Sequence, residues 1–260
     1  MYLTRPVHTP EFLTKVNLGV EVHITRDDAK PNWAQYIPFV GAVHLPYVYA
    51  KGRLNIAAFD DNLRELSLDI LKKAIDTGCQ YKVDRMVMHP VGIEILNGEL
   101  VGCYDRQIDG IQRLAKYAKQ KNVILCVENQ LLEKRNDKIY GVFADDWLKI
   151  YDDVNRDNVL LTLDTSHAST SVAMIENKDE RFNALYNFLK RPEIIGRVHW
   201  SDSKLTNQEA LYNDMHLVVG MGDLPIDFHK KIKSLPVIKT LEQNKPEQEM
   251  EFSLNFIQNL

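Results

Sequence analysis

The chain has 260 residues, 45% hydrophobic and 26% charged, with 12 Gly, 10 Pro and a formal net charge of −4. These proportions exclude collagen-like, low-complexity and intrinsically disordered chains, and the mild acidity argues against non-specific binding to nucleic acid. No apolar stretch approaches the ~20 residues needed to cross a bilayer, and the opening MYLTRPVHTPEF lacks the apolar core of a signal peptide, so a cytoplasmic protein with no membrane contact is expected.

From the amino terminus, short runs rich in Val, Ile and Leu alternate with longer stretches of helical period. A weak strand at residues 2–4 precedes apolar runs at residues 18–24 (LGVEVHI) and 40–45 (VGAVHL). Residues 60–77 carry Leu63, Leu66, Ile70, Leu71 and Ile75 at helical spacing, with Gly78 as the expected stop. Then follow a strand at 85–89 (RMVMH), a helix at 105–121, a strand at 123–128 (VILCVE), a helix at 145–154 and a strand at 159–164 (VLLTLD). A helix at 179–189, strands at 196–200 (GRVHW) and 237–242 (VIKTLE) and a helix at 247–257 complete the series. Continuous apolar runs of this length fit strands buried on both faces of a parallel sheet. Eight such strands, with helices after most of them, predict an α/β protein with a single (β/α)8 TIM barrel over residues 1–260. An open doubly wound sheet would need a Gly-rich nucleotide loop after an early strand, and Gly220-Met221-Gly222 comes too late for that. Cys79, Cys103 and Cys126 are scattered and without a CxxC pair, which suits a reducing compartment and offers no thiolate zinc framework.

Six strands end at a side chain that can bind a metal or move a proton. These are His44, His89, Glu128, Asp164, His199 and Glu242, at successive spacings of 45, 39, 36, 35 and 43 residues. In a barrel all strand ends of this kind share the carboxyl face, so the six converge on one axial pocket. Imidazole and carboxylate without thiolate suit zinc, manganese or magnesium. One such residue reads as a satisfied buried polar group; six in register read as a site. His167 adds an imidazole just after Asp164, where the chain turns. Asp214 and His216 would face the same way in an extended segment, and Gly220 and Gly222 would let that loop bend toward the pocket. His23 is expected to line the pocket and His229 to cap a helix or face solvent.

The pattern resembles the xylose isomerase-like TIM barrels, and within them endonuclease IV of AP endonuclease family 2, metal-dependent enzymes that cleave DNA at abasic sites. The matching motifs are HLPY from His44, HPxG from His89, EN at Glu128 and Asn129, DTSHA from Asp164, HWSDSK from His199, DMHxxxGxG from Asp214, and LE at Leu241 and Glu242. The resemblance implies up to three divalent ions, most simply zinc, with manganese or magnesium as alternatives. It would place His44, His89 and Glu128 on one ion, Glu128, Asp164, His199 and Glu242 on a second, and His167, Asp214 and His216 on a third. Glu128, Glu242 and His167 are then the candidate catalytic residues, and Tyr47, Arg5 and Lys204 the candidate substrate contacts. The implied chemistry is phosphoester hydrolysis by metal-activated water.

Two segments depart from the DNA-cleaving pattern. His89-Pro90-Val91-Gly92-Ile93 lacks the Gly-Ser-His run, and Gln130-Leu131-Leu132 replaces a small Gly-containing turn. Tyr47 and Val48 stand where the DNA-inserting pair would be, but an exposed aromatic beside a pocket can equally pack over a sugar, and Lys51 and Arg53 read either as phosphate contacts or as solvated loop charges. The substrate is therefore either abasic-site DNA or a small phosphorylated or sugar compound, with no protein partner expected. The alternative reading is a sugar or sugar-phosphate isomerase or epimerase, in which Glu128, Asp164, His199 and Glu242 hold one ion and the two glutamates exchange a proton. A non-catalytic metal-bound binding protein is a third possibility that no residue favours.

Overall fold

Val20, Val22, Val43, Val87, Leu125, Val127, Leu161, Leu163, Val198 and Leu241 are completely buried, and their strands join into one closed sheet. The structure is a computed structural model that describes residues 1–24, 33–50, 52–132, 137–205, 213–243 and 245–260. Its barrel strands are Tyr2–Thr4 (β1), Gly19–His23 (β2), Val40–His44 (β3), Arg85–Met88 (β4), Ile124–Glu128 (β5), Val159–Asp164 (β6), Ile195–Trp200 (β7) and Ile238–Leu241 (β8). They pair in parallel in chain order, and β1 closes the ring by pairing with both β2 and β8. The closed eight-stranded barrel expected from the alternation is the fold observed. No helix among the described residues is long and apolar enough to cross a membrane.

Among the described residues the α-helices are Pro10–Val16 (α1), Asp61–Cys79 (α2), Tyr104–Lys119 (α3), Ala144–Val154 (α4), Thr165–Val172 (α5), Lys178–Asn187 (α6), Ile226–Ser234 (α7) and Glu247–Gln258 (α8). Of these α1, α5 and α7 escape a reading by periodicity because they are short. In α5 (TSHASTSV) every residue is buried, so no polar face alternates with an apolar one. Gly78 does not stop α2, which continues to Cys79. A Cβ there would come within 2.7 Å of Met86 and 3.1 Å of Val43, so this glycine lets the helix lie close on the barrel. Two small antiparallel additions decorate the carboxyl face. One is a three-stranded sheet of Ile93–Leu96, Glu99–Leu100 and Lys138–Ile139; the other pairs Val48–Tyr49 with Gly52–Arg53. Lys51 lies outside the described residues.

The glycine-containing loop after His216 bends, but onto Asp202 and not onto the pocket. A Cβ on Gly222 would sit 2.1 Å from Asp202 Oδ1, and Gly220 has a φ of 91° with the Phe256 ring 2.5 Å from where its Cβ would be. The buried Asp202 carboxylate accepts from the backbone N–H of Ser203 (2.9 Å), Gly220 (3.0 Å) and Leu224 (3.2 Å), and lies 3.2 Å from His229 Nε2. His229 therefore neither caps a helix nor faces solvent. It is buried, and its Nδ1 accepts from Trp200 Nε1 at 3.0 Å. Its position in a polar stretch of α7 hid this role, since only packing brings it to Trp200 and Asp202. Asp202→Ala would strand several buried donors together, so a loss of about 3 kcal/mol is expected in chemical denaturation.

Candidate metal centre

Strand register brings the site together before any side chain is considered. His23 lies opposite His44 across β2 and β3, and Asp164 lies opposite His199 across β6 and β7. Glu128 is the last residue of β5, while His89 and Glu242 directly follow β4 and β8. All six strand-end groups thus meet at the carboxyl face, where barrels of this kind hold their chemistry.

Glu128 stands at the centre and its two oxygens look in different directions. Oε2 is 3.1 Å from His44 Nε2 and 3.0 Å from His89 Nε2, whereas Oε1 is 2.7 Å from His199 Nδ1. His199 Nδ1 is also 2.8 Å from Glu242 Oε2 and 3.8 Å from Asp164 Oδ2. Potential ligand atoms of Glu128, Asp164, His199 and Glu242 all lie within 4.8 Å of one another, as do those of His44, Glu128 and His199, and those of Asp164, His167 and His216. Asp214 joins the last group, with Oδ2 at 2.7 Å from His216 Nε2 and 3.4 Å from His167 Nε2. That meeting does not come from an extended segment: His216 has a φ of 42°, and Ser166 Oγ accepts from its backbone N–H at 3.2 Å.

Neighbouring residues orient these side chains. Asp164 caps α5, accepting from the His167 N–H at 2.8 Å, which places His167 one turn into the helix and over the pocket. His167 Nδ1 is 2.8 Å from the carbonyl of Asn129, and His44 Nδ1 is 2.8 Å from that of Leu45, so both rings turn Nε2 toward the site. Asn129 also ties β5 to β6, donating to Asp164 O at 3.0 Å and accepting from Asp164 N at 2.7 Å. Thr165 does the same toward β7, donating to Ser201 O at 2.7 Å.

The electrostatics are those of a cation site. Burial raises the Asp164 carboxyl to about 7, with Glu242 and Asp214 adding to the effect against His167 and His216. Burial would lower His216, but Glu242, Asp214 and Asp164 prevail and hold it at about 9. His167 and His199 are likewise raised above the ordinary imidazole range by the carboxylates around them, against burial. Glu128 and Glu242 go the other way, burial being overcome by His199 together with His89 for the first and Arg5 for the second. Asp164 Oδ2 and Asp214 Oδ1 are buried without a hydrogen-bond partner. Carboxylate lone pairs left over in a cluster of imidazoles are what divalent ions would satisfy, and the residues present fit such ions.

The cavity over this cluster measures about 200 Å³, with Leu54, Val91, Ile93, Leu131 and Ile139 as its apolar wall. Tyr47 lies at the rim, stacked on His89 with ring centroids 4.7 Å apart. Arg5 lines the cavity and is ion-paired to Glu242. Lys204 is not among the lining residues; its Nζ lies 3.3 Å from Asp223. His23 lines the cavity and stacks on His44 at 4.5 Å. Glu21 was not singled out from the sequence, yet it is fully buried with Oε1 2.9 Å from His199 Nε2. A charged residue inside the apolar run GVEVH was the signal for it.

Protons held on His167, His199 and His216 have to leave before those nitrogens can share a lone pair with a metal, so raised values translate into binding that strengthens with pH. Zinc affinity measured by chelator competition should rise from about pH 6 to about pH 8, by ~10-fold per unit for each proton released. A flat profile would contradict this arrangement of charges.

A family model described as xylose isomerase-like TIM barrel, AP endonuclease 2, matches residues 32–260. The chain is 25% identical over 232 residues to the probable endonuclease 4 of Aster yellows witches'-broom phytoplasma, covering 82% of this chain and 73% of that protein. It spans 60% of the length of an uncharacterized Methanocaldococcus jannaschii protein, at 23% identity over 199 residues. Among solved structures, a D-tagatose 3-epimerase-like protein superposes with a TM-score of 0.71 at 16% identity, covering 99% of this chain and 97% of that one. Endonuclease IV from Thermus thermophilus superposes with a TM-score of 0.68 at 18% identity, with the same coverages. The chain therefore belongs to the xylose isomerase-like TIM barrel family, whose fold these neighbours share.

Proposed function

We propose that this chain is a divalent-metal-dependent hydrolase acting on a small phosphoester. The observation that carries the reading is the split allegiance of Glu128, with Oε2 toward His44 and His89 and Oε1 toward His199. A carboxylate facing two ligand groups is suited to bridge two ions, and His167, Asp214 and His216 supply donors for a third. Bound there, the ions would polarise a phosphoryl oxygen, generate a nucleophile from water at neutral pH and stabilise the departing oxygen. The chain's own residues do the rest. Arg5 secures Glu242 at the cavity edge and offers a cation to an anionic substrate. Asp214 accepts from His216 Nε2 and keeps that ring turned into the pocket. Tyr47 gives a substrate ring or sugar a flat surface to rest on. The volume of about 200 Å³ lies below the ~300–1,000 Å³ of pockets for larger ligands, which favours a small molecule or a single protruding group over a long polymer.

One observation favours a second reading. Glu128, Asp164, His199 and Glu242 form a four-ligand set by themselves, and two of the four are glutamates of the kind that can exchange a proton beside a sugar carbon. That set suits an isomerase or epimerase with one ion, and leaves His44, His89, His167, Asp214 and His216 without a task.

Elemental analysis of the purified protein separates the two: about three ions per chain are expected for the hydrolase, and one for the isomerase. Chelator-sensitive release of phosphate or alcohol from aryl phosphate esters should accompany the former, and proton exchange into a ketose the latter. Glu128→Gln should lower turnover more than ~100-fold. Nicking of an abasic-site duplex by the metal-loaded protein would extend the substrate range to DNA, against the small-substrate reading.

A further inference from the structure

Glu21 belongs to β2, has no exposed surface and has no Lys or Arg within ion-pair distance among the described residues. A buried carboxylate without a cation is unfavourable unless its neighbours give it a reason to be there. Its neighbours are specific. Oε1 lies 2.9 Å from His199 Nε2, at ion-pair distance but without the alignment of a hydrogen bond, and neither of these two atoms has a hydrogen-bond partner among the described residues. Oε2 accepts from Thr240 Oγ1 at 3.1 Å, and Thr240 is the β8 residue in register with His199. Glu21, Thr240 and His199 thus make a linked layer inside the barrel, directly beneath the metal centre.

The three best-buried imidazoles of the site differ in how they are held. His44 and His167 each bring Nδ1 to a backbone carbonyl, so their Nε2 atoms face the cluster. His199 is turned the opposite way. Its Nδ1 faces Glu128 Oε1 at 2.7 Å and Glu242 Oε2 at 2.8 Å, and no backbone carbonyl is hydrogen-bonded to Nε2. An imidazole can offer one nitrogen to a metal only when the other keeps the proton, and a partner for that proton fixes both tautomer and ring orientation. For His199 no carbonyl fills that place; the acceptor nearest to Nε2 is the carboxylate of Glu21, at 2.9 Å.

We propose that Glu21 is a positioning residue, which holds the proton of His199 on Nε2 and so presents the Nδ1 lone pair to the ligand set of Glu128, Asp164 and Glu242. This rests on the reading of the site as a metal centre, common to the hydrolase and the isomerase.

The test uses the full chain loaded with zinc. Chelator competition on Glu21→Leu should show one zinc equivalent weakened by ~10- to 100-fold, with the remaining ions bound as in the parent protein. Glu21→Gln keeps an acceptor oxygen and should recover most of that loss. Nitrogen magnetic resonance of the zinc-loaded parent should find the His199 proton on Nε2 and the metal on Nδ1. Equal zinc affinity in the parent and a folded Glu21→Leu protein would overturn the proposal, as would a proton on Nδ1. Should Glu21→Leu fail to fold, the spectra of the parent and the affinity of Glu21→Gln decide. A parent protein that takes up no zinc, manganese or magnesium would overturn the metal reading itself, an outcome distinct from one in which ions bind but Glu21 is irrelevant to them.

Discussion

Glu128, Asp164 and Glu242 are buried with carboxylate oxygens within 4.8 Å of one another, Glu21 is buried behind the His199 ring, and like charges at such separation in a low-dielectric interior cannot persist without compensation. Here imidazoles supply it. His199 stands between three of these carboxylates and approaches the fourth, while His167 and His216 share the carboxylate of Asp214. The shifts follow from that balance: His167, His199 and His216 gain protons, burial drives Asp164 up to about 7, and burial together with the neighbouring His44 drives His23 down to about 3. Protons and divalent cations are interchangeable in such a cluster, because either removes the repulsion.

The remainder of the fold can be understood as the frame that keeps these charges close. Parallel register sets the strand ends at one level, while Asn129 and Thr165 stitch neighbouring ends through their backbones. Asp202 shows that a carboxylate in a motif rich in ligands can have another task. It gathers backbone donors from the loop after His216 and holds His229 against Trp200, so that the excursion carrying Asp214 and His216 is anchored behind the site.

The four residues Glu128, Asp164, His199 and Glu242 are the part of the site that hydrolase and isomerase chemistry would share. What enlarges it is the imidazole set contributed by β3, β4, α5 and the loop containing His216. The added three-stranded sheet supplies Ile93 and Ile139 to the apolar wall, so loops grown from the barrel shape the space above the charges. This division between a fixed charged floor and a variable apolar wall follows from the barrel, whose strands are rigid and whose loops tolerate change.

The alternation of apolar runs with helical periods, and the recurrence of a ligand type at the end of each run, determined from the sequence alone that a parallel barrel would gather His44, His89, Glu128, Asp164, His199 and Glu242. Both signals are local and repeat along the chain, which is why they survive without tertiary information. Gly78, Asp202 and His229 had roles set by distant partners, namely Met86, the loop at Gly220 and Trp200. No local pattern encodes those meetings. Nor does spacing say that His199 would face the cluster with Nδ1 while His44 and His167 face it with Nε2, because ring orientation depends on which acceptor waits behind each ring. Only the closed barrel, by bringing β2 and β8 around to β7, put Glu21 and Thr240 behind His199.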